Sequence, residues 1–225
     1  MDYISLNAEK FEMYYKLLIE TNQNVNLTAI VEKNEVYIKH FRDSLEFVRA
    51  VPDITEKNYS LIDVGTGAGF PGLPLAIAFP NLKVTLTDAL NKRLEFLRCI
   101  VEELKLNNVE IVHARAEDLG RDPLFREKYD LATARAVANL STLVEYCGPL
   151  IHKSGRFIPL KSFEVENEIS EAGHAASEIG LKINGLLKYE LPENMGSRSL
   201  LIYEKIRSTP HKYPRKAGTP SKNPL

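Results

Sequence analysis

From residue 60 onward, short apolar runs alternate with amphipathic stretches at a regular interval. Strand-like runs fall at 60–64, 83–87, 109–113, 130–134 and 155–160. Between them, apolar residues recur at helical spacing over about 72–79, 91–106, 139–151 and 164–179. Strand and helix in strict alternation with short links predict a parallel sheet covered on both faces. Two last strand-like runs, 181–190 and 198–206, are separated only by Pro192-Glu-Asn-Met-Gly-Ser197. That link is too short for a crossover helix, so the pair is expected to be antiparallel. Upstream, Phe11, Tyr14, Tyr15 and Leu18 mark an amphipathic helix between Asn7 and Glu20. A second helix is predicted over Glu35 to Ala50, with Ile38, Phe41, Leu45 and Val48 on one stripe and Pro52 beyond its end. The amide-rich Thr21-Asn-Gln-Asn-Val-Asn-Leu-Thr28 reads as a loop between them.

The pattern divides the chain into an N-terminal helical segment (1–55) packed on the rest, an α/β core (56–207) and a short tail (208–225). A seven-stranded, mostly parallel sheet ending in an antiparallel hairpin is the Rossmann-like layout of class I S-adenosylmethionine-dependent methyltransferases. Doubly wound dehydrogenase domains usually continue in parallel.

Composition narrows the setting more than the chemistry. With 225 residues, 44% apolar and 26% charged, the chain is ordinary for a soluble protein, and no apolar run approaches a membrane span. The acid-bearing N-terminus lacks a signal pattern, so a cytoplasmic monomer is expected. Cys99 and Cys147 are the only cysteines, and the histidines at 40, 113, 152, 174 and 211 have no metal-ligand spacing. Net charge is −1, yet residues 205–225 hold six Lys/Arg and no acid, leaving −7 elsewhere. A basic tail on an acidic body suits an anionic partner such as nucleic acid; a disordered solubilising terminus is the plainer alternative.

Candidate chemistry begins in Leu61-Ile-Asp-Val-Gly-Thr-Gly-Ala-Gly-Phe-Pro-Gly72, a strand, a glycine loop and a helix start. Gly67 to Gly72 fits the G-x-G-x-x-G of dinucleotide folds, whereas Gly65 to Gly69 fits the G-x-G-x-G of methyltransferases. A Walker loop is excluded, because Leu73 follows Gly72. Asp63, just before the loop, would repel a pyrophosphate but suits a ligand bearing a sulfonium and an ammonium; alternatively it caps the loop's own amides. Asp88 at the end of the second strand can accept ribose hydroxyls, or cap the helix starting near Asn91, with Ala89 and Leu90 flanking the nucleoside. After the third strand, Ala116 offers a backbone edge to adenine, and Glu117 or Asp118 an acceptor. Arg135, ending the fourth strand, can hold a cofactor carboxylate or an RNA phosphate, or form a surface ion pair.

Absent motifs limit the reaction. No tyrosine has Lys four residues later, no Asn/Asp-Pro-Pro-Tyr segment serves an exocyclic amine, and no Pro-Cys pair serves pyrimidine C5. Guanine N7 needs none of these devices, because its in-plane lone pair is already free to attack.

Together, Asp63-Val-Gly-Thr-Gly-Ala-Gly-Phe-Pro-Gly-Leu-Pro-Leu-Ala-Ile77, Asn26-Leu-Thr-Ala29, His40-Phe-Arg-Asp-Ser-Leu45 and Arg135-Ala-Val-Ala138 resemble the small-subunit ribosomal RNA methyltransferase G family, also called glucose-inhibited division protein B. The resemblance runs from about residue 7 to the C-terminus. It implies transfer of methyl from S-adenosylmethionine to N7 of a guanosine in the decoding-region loop of 16S rRNA, within the 30S subunit or a precursor. It places cofactor contacts at Gly65, Phe70, Asp88, Ala89, Leu90, Ala116, Glu117 and Arg135. Phe70 enters only through the resemblance, since the residues alone read it as core. His40, Arg42, Lys161, Lys212, Arg215 and Lys216 are the expected RNA contacts. Two segments depart from the family pattern: Lys161-Ser162 replaces Lys-Gly, and Thr87-Asp-Ala-Leu-Asn-Lys-Arg93 replaces Glu-Ser-x-x-Lys-Lys. Methylation of a small molecule or protein, or a non-catalytic RNA-binding sensor, are the rival readings.

Overall fold

Eight strands make one sheet in the computed structural model, which describes residues 2–225. They are β1 (Ser60–Val64), β2 (Lys83–Asp88), β3 (Val109–His113), β4 (Tyr129–Thr133), β5 (Ile151–Phe157), β6 (Leu160–Ser162), β7 (Leu181–Glu190) and β8 (Ser197–Lys205). The first five pair in parallel in the order β3-β2-β1-β4-β5, and β5, β6 and β7 each pair antiparallel with β8. Because β7 runs along the whole of β8, β5 and β6 must share its other edge. The additional strand, β6, is therefore a second piece of the β5 lane: Phe157 pairs with Tyr203 and Leu160 with Leu200. Pro159, between them, has no N–H to give the ladder. Seven lanes hold eight strands, and the antiparallel hairpin closes the sheet as expected.

Alternate residues of β1 feed opposite faces. Leu61 joins the core under the N-terminal helices and the helices Gly72–Ala78 and Asn91–Glu103. Ile62 joins the core under Leu140–Cys147 and Gly173–Ile179. The helix expected to reach 151 stops at Cys147. Gly148–Leu150 then forms a tight turn containing Pro149, and β5 starts four residues early. Gly72 sits where the first helix meets β1 and β2, and a Cβ there would lie 2.3 Å from Leu86 Cδ2 and 2.9 Å from Asp63 Oδ2. Gly72→Ala is expected to cost about 1–3 kcal/mol by overpacking, read as a lower urea midpoint.

The N-terminal helices differ from expectation in two ways, both physical. Helix Ala8–Val25 runs through half of the predicted loop. The amides terminate it instead: Asn26 is left-handed, and the Asn22 carboxamide accepts from the Leu27 and Thr28 amides and donates to Thr28 O. The second helical run, Lys33–Val36, carries a π-helical segment, Tyr37–Arg42, before Asp43–Leu45 and a last 3-10 turn, Glu46–Arg49. The wider π turn rotates residues 43–49 about the helix axis, so Asp43, Ser44 and Phe47 are buried while Val48 is only half-buried. Phe11, Tyr14, Phe41 and Phe70 form one aromatic cluster, and the Tyr14 hydroxyl donates to Ala68 O at 2.5 Å. The N-terminal segment is thus bolted to the glycine loop. No helix is long and apolar enough to cross a membrane among the described residues.

Candidate active site

The chain leaves β1 through three glycines with positive φ, Gly65 (+69°), Gly67 (+61°) and Gly69 (+101°). At Gly65 a side chain is excluded twice, by that φ and by Val137 Cγ2 only 2.7 Å from where a Cβ would stand. Beneath the loop lies the fully buried Asp63. Its Oδ2 accepts from Thr66 Oγ1 at 2.7 Å and from the Gly72 amide at 2.9 Å, whereas Oδ1 has no partner among the described residues. Burial pushes this carboxyl up to about 6, against the opposing pull of the Thr66 and Gly72 hydrogen bonds. The alternatives for Asp63 are therefore not exclusive: one oxygen braces the loop and the other stays unsatisfied.

Asp88, 5% exposed, joins two loops. Its Oδ2 accepts from the Gly67 amide at 3.0 Å and Arg93 Nη1 at 3.3 Å; Oδ1 accepts from the Leu90 amide at 2.9 Å. The carboxylate caps the turn at Leu90 and not the following helix, and Oδ1 keeps a lone pair for a hydroxyl. Past β3, the short helix Ala116–Leu119 carries Glu117, whose Oε1 accepts from the Gly218 amide at 2.7 Å. Gly65, Asp88, Ala89, Leu90, Ala116 and Glu117 all line one cavity of about 360 Å³. Tyr146, Gly218 and Ser221 line it too, and sequence reasoning missed all three.

This cavity fits an adenosine nucleoside with a positively charged tail. Asp88 and Glu117 stand at the ends of neighbouring strands, Val64, Ala89, Ala114 and Ala136 give apolar walls, and the orphaned Asp63 oxygen lies under the loop. A pyrophosphate would meet the Asp88 carboxylate there instead.

Phe70 and Arg135 do not line that cavity. Arg135 Nη1 donates to Asp43 Oδ2 at 2.9 Å and Lys39 O at 3.3 Å, and Nη2 reaches His40 Nδ1 at 3.2 Å. The guanidinium lies 5.0 Å from the Phe70 ring centre, and the Tyr189 hydroxyl donates to Asp43 Oδ1 at 2.7 Å. The ion pair is thus buried, with Asp43 2% exposed, and is not a surface pair. Phe70 stacks on Tyr14 at 5.5 Å and on His40 at 4.5 Å. Because Arg135 can only donate, His40 Nδ1 must accept, and its proton sits on Nε2 facing Thr28 Oγ1 at 2.9 Å. Burial first, then the Arg135 charge, lowers the imidazole to about 3, so it is neutral.

His40, Asp43 and Arg135 border a second cavity of about 370 Å³, lined also by Lys39, Lys161, Ser162 and Arg198. Ala136, a non-glycine residue at φ +57°, borders both cavities.

The expected RNA contacts do not form one group. His40 and Lys161 face the second cavity, where Lys161 Nζ meets Glu168 Oε2 at 2.6 Å. Arg42 lies apart from it, in a groove with Asp2, Tyr3 and Ile4. The tail is folded, not disordered. Lys212 pairs with Glu178 at 3.0 Å and Lys216 is exposed. Arg215 clasps the fully buried Glu145, with Nε to Oε1 at 3.0 Å and Nη2 to Oε2 at 2.7 Å. That carboxylate takes the Nε and Nη2 edge of the fork, so Arg215 is an anchor of the tail in this structure.

Residues 7–189 match the model of a family described as rRNA small subunit methyltransferase G. The chain belongs to this family. It is 50% identical over 218 residues to the "Ribosomal RNA small subunit methyltransferase G" of Ligilactobacillus salivarius, covering 96% of this chain and 90% of that protein. The Staphylococcus saprophyticus protein of the same name is 50% identical over 217 residues, with the same coverage. Among solved structures, a SAM dependent methyltransferase from Aquifex aeolicus superposes with a TM-score of 0.55 at 16% identity, covering 78% of this chain and 94% of that one. M. jannaschii TYW2 in complex with AdoMet gives 0.54 at 17% identity, covering 73% and 77%. These likenesses establish the methyltransferase fold, and family membership makes the protein a methyltransferase.

Proposed function

We propose that this protein transfers a methyl group from S-adenosylmethionine to N7 of a guanosine in the decoding-region loop of 16S rRNA, acting as a cytoplasmic monomer on the 30S subunit or a precursor. The observation that carries the reading is the meeting of two cavities at Ala136, one suited to a cationic nucleoside and one rimmed by Lys39, Lys161 and Arg198.

When bound, the donor supplies an electrophilic methyl on a sulfonium. Gly65, Asp88, Ala89, Leu90, Ala116 and Glu117 would hold its nucleoside, and the buried Asp63 carboxylate would add negative charge from beneath the glycine loop. Across Ala136, Arg135 would form the floor of the acceptor cavity and His40 its wall, with Phe70 packed behind both. Guanine N7 loses no proton when methylated, so the site needs no general base, and the neutral His40 with its fixed Nε2–H is suited to shape and not to proton transfer. Catalysis then rests on alignment of the two cavities. Methyl transfer at saturating donor is accordingly expected to show no limb from His40 across the neutral pH range; a rate loss tracking an imidazole near its ordinary value would contradict this assignment.

The direct test is methyl transfer to purified 30S particles lacking the modification, with reverse-transcription stops mapped after N7-specific cleavage. A single new stop in the decoding region is expected. Labelled methyl appearing only in small acceptors or protein would overturn the reading.

A further inference from the structure

The C-terminal strap is built with more anchorage than a solubilising tail needs. Arg126 donates to Gly120 O, Tyr213 O, Thr209 O and Pro210 O at 2.6, 2.8, 2.7 and 3.3 Å. Arg215 grips Glu145 through its backbone amide as well as its guanidinium. Thr142 Oγ1 donates to Pro220 O at 3.1 Å. These anchors deliver Gly218, at φ +80°, to the cofactor cavity, where it and Ser221 form part of the wall. There the Gly218 N–H meets Glu117 Oε1 at 2.7 Å.

Glu117 is 5% exposed and reaches the cavity from the end of the β3 loop. A carboxylate on so long a side chain has several rotamers. Fixing one oxygen with a charge-assisted bond from the main chain selects one of them. Among the described residues Gly218 is the one main-chain donor to this carboxylate, and the Tyr146 hydroxyl is its side-chain neighbour. Tyr146 beside it feels the charge: its hydroxyl is pushed up by burial first and then by Glu117.

We propose that the strap is the adenine-selecting wall of the cofactor cavity, with the Gly218 N–H as a positioning group that turns Glu117 Oε2 toward the exocyclic amine of the base. The proposal rests on the reading of this cavity as a nucleoside-cofactor site. Hypoxanthine carries an oxygen where adenine carries that amine, so an oriented carboxylate should repel it. The basic tail then serves the cofactor through its fold and not the RNA through its charge.

The test compares binding of S-adenosylhomocysteine and S-inosylhomocysteine by calorimetry in three full preparations. The intact chain is expected to prefer the adenine ligand. A chain ending at Ala217 keeps the Arg126 and Arg215 anchors but lacks the Gly218 donor. Its Kd for the adenine ligand is expected to rise about tenfold, the equivalent of one charge-assisted hydrogen bond, with a much smaller change for the inosine ligand. Replacing the Gly218 amide by a main-chain ester, with the C-terminal segment joined by ligation, removes the same donor while leaving its φ of +80° accessible, and the same collapse of the preference is expected, so the ratio stays readable even where truncation loosens the fold. A preference that survives in both variants overturns the proposal. An intact chain that binds neither ligand overturns the cofactor reading on which it rests.

Discussion

Replacing Asp63 with Asn is expected to stabilise the unliganded protein at pH 8 and to weaken its hold on the methyl donor. At that pH the native carboxyl, with a pKa of about 6 against an ordinary 3.8, is ionised inside the core. A shift of this size corresponds to about 3 kcal/mol. Asn keeps an acceptor for Thr66 Oγ1 and the Gly72 amide but places an unpaired NH₂ where Oδ1 now stands, returning on the order of 1–2 kcal/mol. The net gain is about 1 kcal/mol, or roughly 2–4 °C in Tm for a chain of this size.

The pH dependence gives the sign of the effect. A carboxyl whose folded pKa is raised binds more protons in the native state, so its contribution to stability is fully present below 3.8 and is lost as pH rises through about 6. The advantage of Asp63→Asn must therefore shrink as pH falls from 8 toward 4. His40 acts oppositely: with its folded pKa lowered from 6.5 to about 3, its contribution is present above 6.5 and fades as pH falls. Both proteins carry His40, so the difference between their melting curves isolates Asp63. Donor affinity should move the other way, weaker by about tenfold or more in the variant at pH 8. Wild-type affinity should approach the variant's as pH drops through about 6. Equal donor affinity at pH 8 would reduce Asp63 to a brace for the loop.

The parts of this molecule that were legible in advance are those governed by short-range rules. Strand period, helix period and a loop too short for a crossover placed the sheet and its hairpin. Asp88, Ala89, Leu90, Ala116 and Glu117 were legible because the ends of neighbouring parallel strands must open on one crevice. The illegible parts depend on contacts across long separations. Nothing near Arg215 announces Glu145, seventy residues earlier, and nothing in Lys216-Ala-Gly-Thr219 announces that Gly218 reaches Glu117. Asp43 was hidden by a local event: between Phe41 and Leu45 it reads as an exposed polar residue on a regular helix, and the π turn rotates it inward. His40 and Arg42, both expected to touch RNA, sit two residues apart on this run and face different sides of it.

Arg135→Ala is expected to cost about 3–5 kcal/mol, because it leaves a buried carboxylate without its counter-charge. Asp43 would retain only the Tyr189 hydroxyl, and Phe70 would lose the guanidinium above its ring. Loss of methylation in that variant would say little alone, since a weakened fold explains it. The double variant Arg135→Ala/Asp43→Asn removes both charges, keeps an acceptor for Tyr189, and should recover most of the lost stability in urea titration. Methyl transfer to 30S particles should not recover with it, because Arg135 also fixes the Nδ1 acceptor state of His40 and lines the cavity proposed for the target base. Arg135→Lys separates the roles further. A single ammonium keeps the charge but cannot meet Asp43, Lys39 O and His40 together. Its stability should fall by less than that of the Ala variant, while the single-turnover rate at saturating donor falls by about tenfold or more, the effect of slight misplacement of reacting groups. Recovery of methylation along with stability in the double variant would make the cluster a structural fastening alone. Persistent inactivity in a stably folded double variant would place Arg135 at the junction where donor and acceptor cavities meet.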